Sequence, residues 1–125
     1  MLSMTKIFEF NAAHHLPYHQ GKCNQLHGHG FRLEVTIDQG EEGMLEGIEL
    51  AGIEAGMIMD FSRFKERINQ LIISHLDHKN LNDTIKNPTA ENIVSWILGV
   101  LLFDFPTISR IKLYETPTSY VEWRK

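Results

Sequence analysis

The feature that most constrains the fold is a strict alternation over residues 27–38. The even positions there carry glycine, charged residues or threonine, whereas the odd positions are apolar or histidine: His27, His29, Phe31, Leu33, Val35 and Ile37. Successive side chains of a β-strand point to opposite faces, so this pattern predicts a strand with one apolar face. The sequence therefore predicts a sheet whose apolar face ends in two imidazoles.

The rest of the chain supplies three more strands and two helices. The strands predicted by alternation are 6–14, 27–38, 109–114 and 119–124. Apolar residues at helical spacing predict a helix over 61–76, with Asp60 or Ser62 as its N-cap. A second helix is expected from about 87 to 103, with Pro88 in its first turn. This ββααββ order favours an α+β domain, an antiparallel four-stranded sheet with both helices on one face.

The composition fits one domain and argues against several classes of protein. With 125 residues, 42% of them hydrophobic, the chain can bury one core, so a single domain over 1–125 is expected. Its single Cys cannot form an internal disulfide, which favours a cytoplasmic location. A net charge of -4 without a basic cluster argues against nucleic acid and membrane surfaces as partners. Small molecules or other protein chains are the expected partners, and the Gly- and Glu-rich segment 39–56 is expected to be a long loop.

Three of the seven histidines fall on one predicted face of the sheet. His27 and His29 share a face because they are two residues apart, and His14 ends the apolar face of the first strand. Antiparallel pairing of the two strands could bring the three imidazoles together. Neutral imidazole is the commonest metal ligand, so the pattern predicts a catalytic zinc site with its fourth position left for water or substrate. The alternative is that these imidazoles only satisfy backbone hydrogen bonds.

The single cysteine, Cys23, lies four residues before His27 in a polar, turn-like segment. A nearby dication and the adjacent Lys22 would favour its thiolate form, which can act as a base or nucleophile. Two other interpretations remain at this point. The thiol could be the fourth ligand of a closed structural zinc site, or it could be inert.

Two further positions carry candidate chemistry. Asp77 directly precedes His78 after the first helix, and a carboxylate that orients an imidazole makes it a better base. The same dipeptide could equally be a solvated turn. Glu115 shares a strand face with Ile111 and Leu113, so its carboxylate needs a partner such as a planar ligand with adjacent N–H donors. A salt bridge or a position at the solvent rim is the alternative.

Five blocks in this order resemble the signature of the 6-pyruvoyltetrahydropterin synthase family. They are residues 10–14 (FNAAH), 23–29 (CNQLHGH), 76–82 (LDHKNLN), 87–91 (NPTAE) and 114–116 (YET). The match extends over essentially the whole chain. The three residues between Cys23 and His27 resemble the spacing in the bacterial branch that makes 6-carboxytetrahydropterin for queuosine biosynthesis.

The resemblance implies an enzyme, its cofactor and its site. The implied roles are zinc binding by His14, His27 and His29, general base for Cys23, proton transfer by Asp77 and His78, and substrate binding by Glu115 and Thr89. The implied reaction converts 7,8-dihydroneopterin triphosphate to 6-carboxy-5,6,7,8-tetrahydropterin, acetaldehyde and triphosphate. The implied architecture is the tunnelling fold, in which the sheets of a homo-oligomer, a hexamer, join into a barrel and subunits share active sites.

Two other functions stay open from the sequence. One is a 6-pyruvoyltetrahydropterin synthase, which eliminates triphosphate without releasing acetaldehyde. The other is a non-catalytic zinc-stabilised module with Cys23 as the fourth ligand.

Overall fold

A long antiparallel hairpin, formed by β1 (Ser3–His14) and β2 (His27–Asp38), is the centre of the fold. The computed structural model describes residues 1–40, 54 and 56–125. The α-helices are α1 (Phe61–Ile68), α2 (Ser74–Leu76) and α3 (Ala90–Leu101), and a π-helical segment (Asn69–Ile73) joins α1 to α2. The remaining strands are β3 (Lys79–Asn80), β4 (Ile108–Thr116) and β5 (Ser119–Arg124). The predicted loop over 39–56 lies for the most part outside the described residues. In the described part, every helix is too short or too polar to cross a membrane.

Within the described residues the sheet has five strands in the order β3-β1-β2-β4-β5, so the predicted four-stranded sheet is wrong by one strand. The additional strand, β3, is two residues long and pairs parallel to β1 at Ala12 and Ala13. Two residues are too few to show a period-2 pattern, which is why alternation does not reveal this strand. The four predicted strands are present, and their mutual pairings are all antiparallel.

One face of the sheet carries the core, as the alternation predicts. In the β1–β2 register Phe10 lies opposite Phe31, so even positions of β1 share a face with odd positions of β2. These positions are buried in one cluster together with apolar side chains from α1, α2 and α3, so the helices cover this face. Residues of the opposite face, such as Ile7 and Tyr120, are half exposed. Hence the prediction of an α+β domain with the helices on one face is confirmed.

The helix predicted over 61–76 forms with a π-helical segment between α1 and α2. Its fully buried residues, Phe64, Ile68, Ile72 and Leu76, are each four positions apart. An α-helix has 3.6 residues per turn, so such a row would rotate by roughly 40° per step away from the core. The wider π turn offsets that rotation and keeps all four side chains against the sheet. Asp60 is the N-cap, and its side chain accepts a hydrogen bond from Ser62 N.

The second predicted helix, α3, begins at Ala90, later than the sequence pattern indicates. Thr89 is its N-cap, because the Thr89 hydroxyl accepts a hydrogen bond from Asn92 N at 3.1 Å. Pro88 therefore precedes the cap and does not lie in the first turn as predicted. The Pro88 carbonyl therefore lies outside the helix, where its oxygen contacts Nδ1 of His14 in β1.

Candidate metal centre and active site

Four side chains converge at one end of the sheet, and we call them the metal cluster: His14, His27, His29 and Glu115. One donor atom from each lies within 4.8 Å of the others. The β1–β2 register explains the convergence of the imidazoles, since it sets His14 opposite His27 and Ala12 opposite His29. Glu115 arrives from the end of β4. The predicted pairing of the two histidine-bearing strands is confirmed.

The donor atoms of the metal cluster are suited to a cation. The Nε2 atoms of His14 and His29 are buried and have no hydrogen-bond partner among the described residues. Nδ1 of His14 lies 2.8 Å from the Pro88 carbonyl oxygen, and Nδ1 of His27 lies 2.7 Å from that of Gln25. A carbonyl can only accept, so each Nδ1 carries a proton, and in the neutral tautomer Nε2 is then the nitrogen with the lone pair. Such backbone partners are typical of metal-bound histidines.

Burial also favours the neutral form of the His29 imidazole. Desolvation lowers the pKa of His29 below its usual value, and the neighbouring His14 and His27 rings lower it further, whereas the Glu115 carboxylate opposes this effect. A histidine must be neutral to offer a lone pair to a metal. The environment of His29 therefore favours the protonation state that a metal ligand needs.

Cys23 lies in the loop between His14 and His27, outside the metal cluster. It is half buried in a 3-10 turn (Lys22–Asn24), and its carbonyl accepts a hydrogen bond from Leu16 N at 2.7 Å. Among the described residues, the set of four donors contains Glu115 and leaves Cys23 out. The interpretation of Cys23 as the fourth metal ligand therefore has no support in this geometry.

Asp77 and His78, which we call the dyad, are attached to the edge of β1. Asp77 Oδ1 accepts a hydrogen bond from Asn11 N at 2.9 Å, and His78 N donates to Asn11 O at 2.6 Å. His78 Nε2 lies 3.6 Å from Asp77 Oδ2, which is an ionic contact longer than a hydrogen bond. The His78 side chain is 77% exposed. Asp77 thus fixes the backbone at this edge and leaves the imidazole accessible.

A groove of about 660 Å³ lies on the sheet beside His78. Its lining includes Asn11 and Gly30 of the hairpin together with His78, and it reaches the strand at His29. The β1–β2 register places Asn11 and Gly30 on the face opposite to the His29 imidazole, so a ligand in this groove would contact the exposed imidazole of His78.

Asn82, which sequence reasoning missed, holds the end of β1. Its Oδ1 accepts from His15 N at 2.9 Å, and its Nδ2 donates to His15 O at 3.0 Å. These two bonds fix the residue that follows His14. Asn82 lies in the 76–82 block, yet neither its residue type nor its spacing distinguishes it from a solvated amide.

The comparison with protein families gives one clear match. A family model described as 6-pyruvoyl tetrahydropterin synthase matches residues 3–125. The chain belongs to this family. The resemblance noted from the sequence blocks is thereby confirmed, as is the expectation of an enzyme.

Proteins similar to this chain carry more than one kind of name. A Synechocystis protein named 6-carboxy-5,6,7,8-tetrahydropterin synthase is 41% identical over 117 residues, covering 91% of this chain and 86% of its own length. A Pyrococcus furiosus protein named dihydroneopterin monophosphate aldolase is 35% identical, covering 85% of this chain and 82% of its own. The Caenorhabditis elegans 6-pyruvoyl tetrahydropterin synthase structure superposes with a TM-score of 0.76 at 20% identity, covering 99% of this chain and 95% of its own, and shows the shared fold.

The remaining residue that the family resemblance implicates is Thr89. Its hydroxyl caps α3, and the carbonyl of the preceding Pro88 accepts from His14 Nδ1. Thr89 therefore follows the residue whose carbonyl contacts His14, while its own side chain is engaged in the helix cap. Its predicted contact with substrate stays a prediction.

Proposed function

We propose that this chain converts 7,8-dihydroneopterin triphosphate to 6-carboxy-5,6,7,8-tetrahydropterin, acetaldehyde and triphosphate. The reaction is zinc-dependent, belongs to queuosine biosynthesis and takes place in the cytoplasm. The observation that carries the proposal is the convergence of His14, His27 and His29 in a member of this family. Backbone carbonyls hold Nδ1 of His14 and His27, and the buried Nε2 atoms of His14 and His29 have no hydrogen-bond partner among the described residues. The 41% identity to a relative named for the 6-carboxy product supports this branch.

The chemistry divides among the residues of the chain. The three histidines hold zinc, which when bound supplies Lewis acidity to the side-chain hydroxyls of the substrate. The Cys23 thiolate removes a carbon-bound proton, since it lies in the loop that joins two of the histidine ligands. His78 is exposed in the groove at the edge of β1. It transfers protons on the side of the substrate opposite to Cys23.

The pterin ring is the part of the substrate that the protein must orient. Glu115 suits this role because a carboxylate accepts two parallel hydrogen bonds from adjacent N–H donors. Its side chain is 28% exposed, so a ligand can reach it. Thr89 is the second proposed substrate-binding residue, at the N-terminus of α3.

Product analysis by mass spectrometry tests this proposal. Zinc-loaded protein is incubated with dihydroneopterin triphosphate, and we expect the 6-carboxy product with equimolar acetaldehyde. Triphosphate release without acetaldehyde would instead assign the 6-pyruvoyl reaction, and no turnover at all would favour a non-catalytic module. The name of the Pyrococcus relative makes dihydroneopterin monophosphate a necessary second substrate in the same assay.

We also propose a homo-oligomer, a hexamer with the sheets joined into a barrel. The two outer strands of the described sheet, β3 and β5, support this because an unpaired edge offers backbone groups to another chain. Sedimentation velocity measures the particle mass directly. A monomer at micromolar concentration would overturn the barrel and the sharing of active sites.

A further inference from the structure

We propose that Glu115 is the fourth metal ligand when no substrate is bound, and that the pterin ring must displace it. This inference rests on the proposed function, because it assigns a second task to the carboxylate proposed to anchor the pterin. The site is thus closed in the resting enzyme and opens only when the correct ring arrives.

The first argument is distance. Zinc–nitrogen and zinc–oxygen bonds are about 2.0–2.2 Å long, so two ligand atoms of a tetrahedral site lie roughly 3.3 to 3.5 Å apart. Glu115 Oε1 lies 3.3 Å from His14 Nε2 and 3.1 Å from His29 Nε2. The separations of Glu115 Oε1 from these two imidazoles therefore match those between ligands of a tetrahedral site, and a donor atom of His27 lies within 4.8 Å of the other three.

The second argument is electrostatic. Nδ1 of His14 is held by the Pro88 carbonyl, so the neutral ring directs the lone pair of its fully buried Nε2 at Glu115. With the ring neutral, this lone pair and the Glu115 carboxylate are both acceptors, and two acceptors repel each other at this distance. A cation between them reverses the sign of the interaction. Among the described residues, no Arg or Lys forms an ion pair with Glu115. The charge that meets its carboxylate is therefore a proton on His14 or His29 or a metal ion, and a metal ion would engage all four donors at once.

Displacement follows from the geometry of the carboxylate. Paired N–H donors of a pterin would lie in the plane of the Glu115 carboxylate and use both of its oxygens. A metal ion on Oε1 withdraws electron density from that atom and fixes the orientation of the carboxylate, so the two contacts compete for it. The partly exposed Glu115 side chain can turn from the buried imidazoles toward a ligand. Binding of the ring therefore frees one coordination position at the moment when the substrate side chain is present to occupy it.

Metal binding in the absence of substrate tests the first half of the proposal. Metal-free protein is titrated with Co²⁺ and Zn²⁺ against a chromophoric chelator, and the visible spectrum of the Co²⁺ form is recorded. We expect Glu115→Gln to weaken metal binding by at least about tenfold. Glu115→Asp, which keeps the charge on a shorter side chain, should fall between this variant and wild type. Glu66→Gln, an exposed carboxylate on α1, is the matched control and should bind like wild type.

A pterin without a side chain tests the second half. Addition of 6-methylpterin to the Co²⁺ protein should change the wild-type spectrum, because the ring removes one ligand while no hydroxyl replaces it. The Glu115→Gln spectrum should stay unchanged. Equal metal affinity of Glu115→Gln and wild type would overturn the inference, as would a wild-type spectrum that does not respond to saturating pterin.

These measurements test the fourth ligand separately from the proposed function. Wild-type protein that forms the 6-carboxy product while Glu115→Gln binds Co²⁺ normally leaves the function standing and removes the fourth ligand. Wild-type protein that forms no product while Glu115→Gln loses metal affinity removes the function and supports the fourth ligand. Thermal unfolding of both Glu115 variants shows whether a loss of affinity comes from a loss of fold.

Discussion

The metal cluster and the dyad both depend on β1, yet they are built in different ways. The cluster consists of side chains on the core face, and strand register brings its three imidazoles together. The dyad is attached to the edge of β1 by two hydrogen bonds to the backbone of Asn11, and its imidazole is exposed. The metal cluster must hold fixed distances between its donor atoms, whereas the dyad must reach a ligand.

The metal cluster and the dyad also differ in how much free energy a structural change at each would cost. A packed side chain on the core face cannot move without opening a cavity or a buried polar group. A residue at a sheet edge can adjust at low cost, and it can also hold a strained backbone if neighbours fix it. We therefore expect substitutions in the metal cluster to affect metal content, and those in the dyad to affect turnover without loss of metal.

The largest effect is expected for His29→Ala. Loss of one of three neutral imidazoles should weaken zinc binding by more than about a hundredfold, beyond the range typical of groups that only support a ligand. Turnover should then disappear. Metal content by atomic emission and metal affinity by chelator competition measure this effect. His75→Ala, an exposed histidine on α2, is the control. Retained zinc in His29→Ala would break the assignment of the cluster.

Cys23→Ala should abolish most turnover and leave the metal in place. General acid–base groups contribute typically about 10²- to 10⁴-fold, so a loss in this range is expected. Single-turnover rates and zinc content are measured on the same preparation. Loss of zinc together with loss of fold would indicate that Cys23 is a metal ligand and not the base. It would also weaken the contrast drawn between the metal cluster and the dyad.

His78→Gly should separate activity from stability. His78 has a φ of 58°, which costs a residue with a Cβ roughly 1 kcal/mol and costs glycine almost nothing. We expect a fold that is more stable by up to about 1 kcal/mol and turnover that falls about 10²-fold or more. Denaturant titration and steady-state kinetics measure the two quantities. His78→Asn, which also tolerates this conformation, is the control for loss of the imidazole. Unchanged turnover in both variants would remove His78 from the site.

The smallest effect is expected for Asn82→Ala, which tests whether the cluster depends on support from outside it. Two bonds to the His15 backbone are lost, so unfolding should become easier by about 1–3 kcal/mol and zinc affinity should fall about tenfold. Asn82→Asp keeps the bond to His15 N and should lie between Ala and wild type. A drop in stability with unchanged zinc affinity would show that the strand end does not position His14.

The histidines of the metal cluster could be predicted because strand parity depends only on the spacing of residues along the chain. The groups that hydrogen-bond to these histidines could not be predicted. The Pro88 and Gln25 groups that hold Nδ1 are backbone carbonyls, which every residue possesses, so no residue type marks them. Glu115 was predicted to need a partner, but the two imidazoles that meet it depend on how β4 pairs with β2.

The fold was predictable where patterns are long and not where they are short. Strands of nine to twelve residues, β1, β2 and β4, carry a clear period, whereas the two residues of β3 carry none. The adjacency of Asp77 and His78 suggested the dyad, yet its attachment to Asn11 arises from tertiary pairing. The left-handed backbone of His78 has no sequence mark either, because that position is not a glycine.

The metal cluster has a consequence for the unfolded chain. His14 and His27 stand at the two ends of one loop, and Glu115 joins them from the far end of the chain. An ion held by all of them would cross-link distant positions and reduce the conformational entropy of the unfolded ensemble, as a disulfide does in other proteins. In a chain with a single cysteine, a metal ion is thus the available cross-link, and thermal stability should rise with zinc concentration.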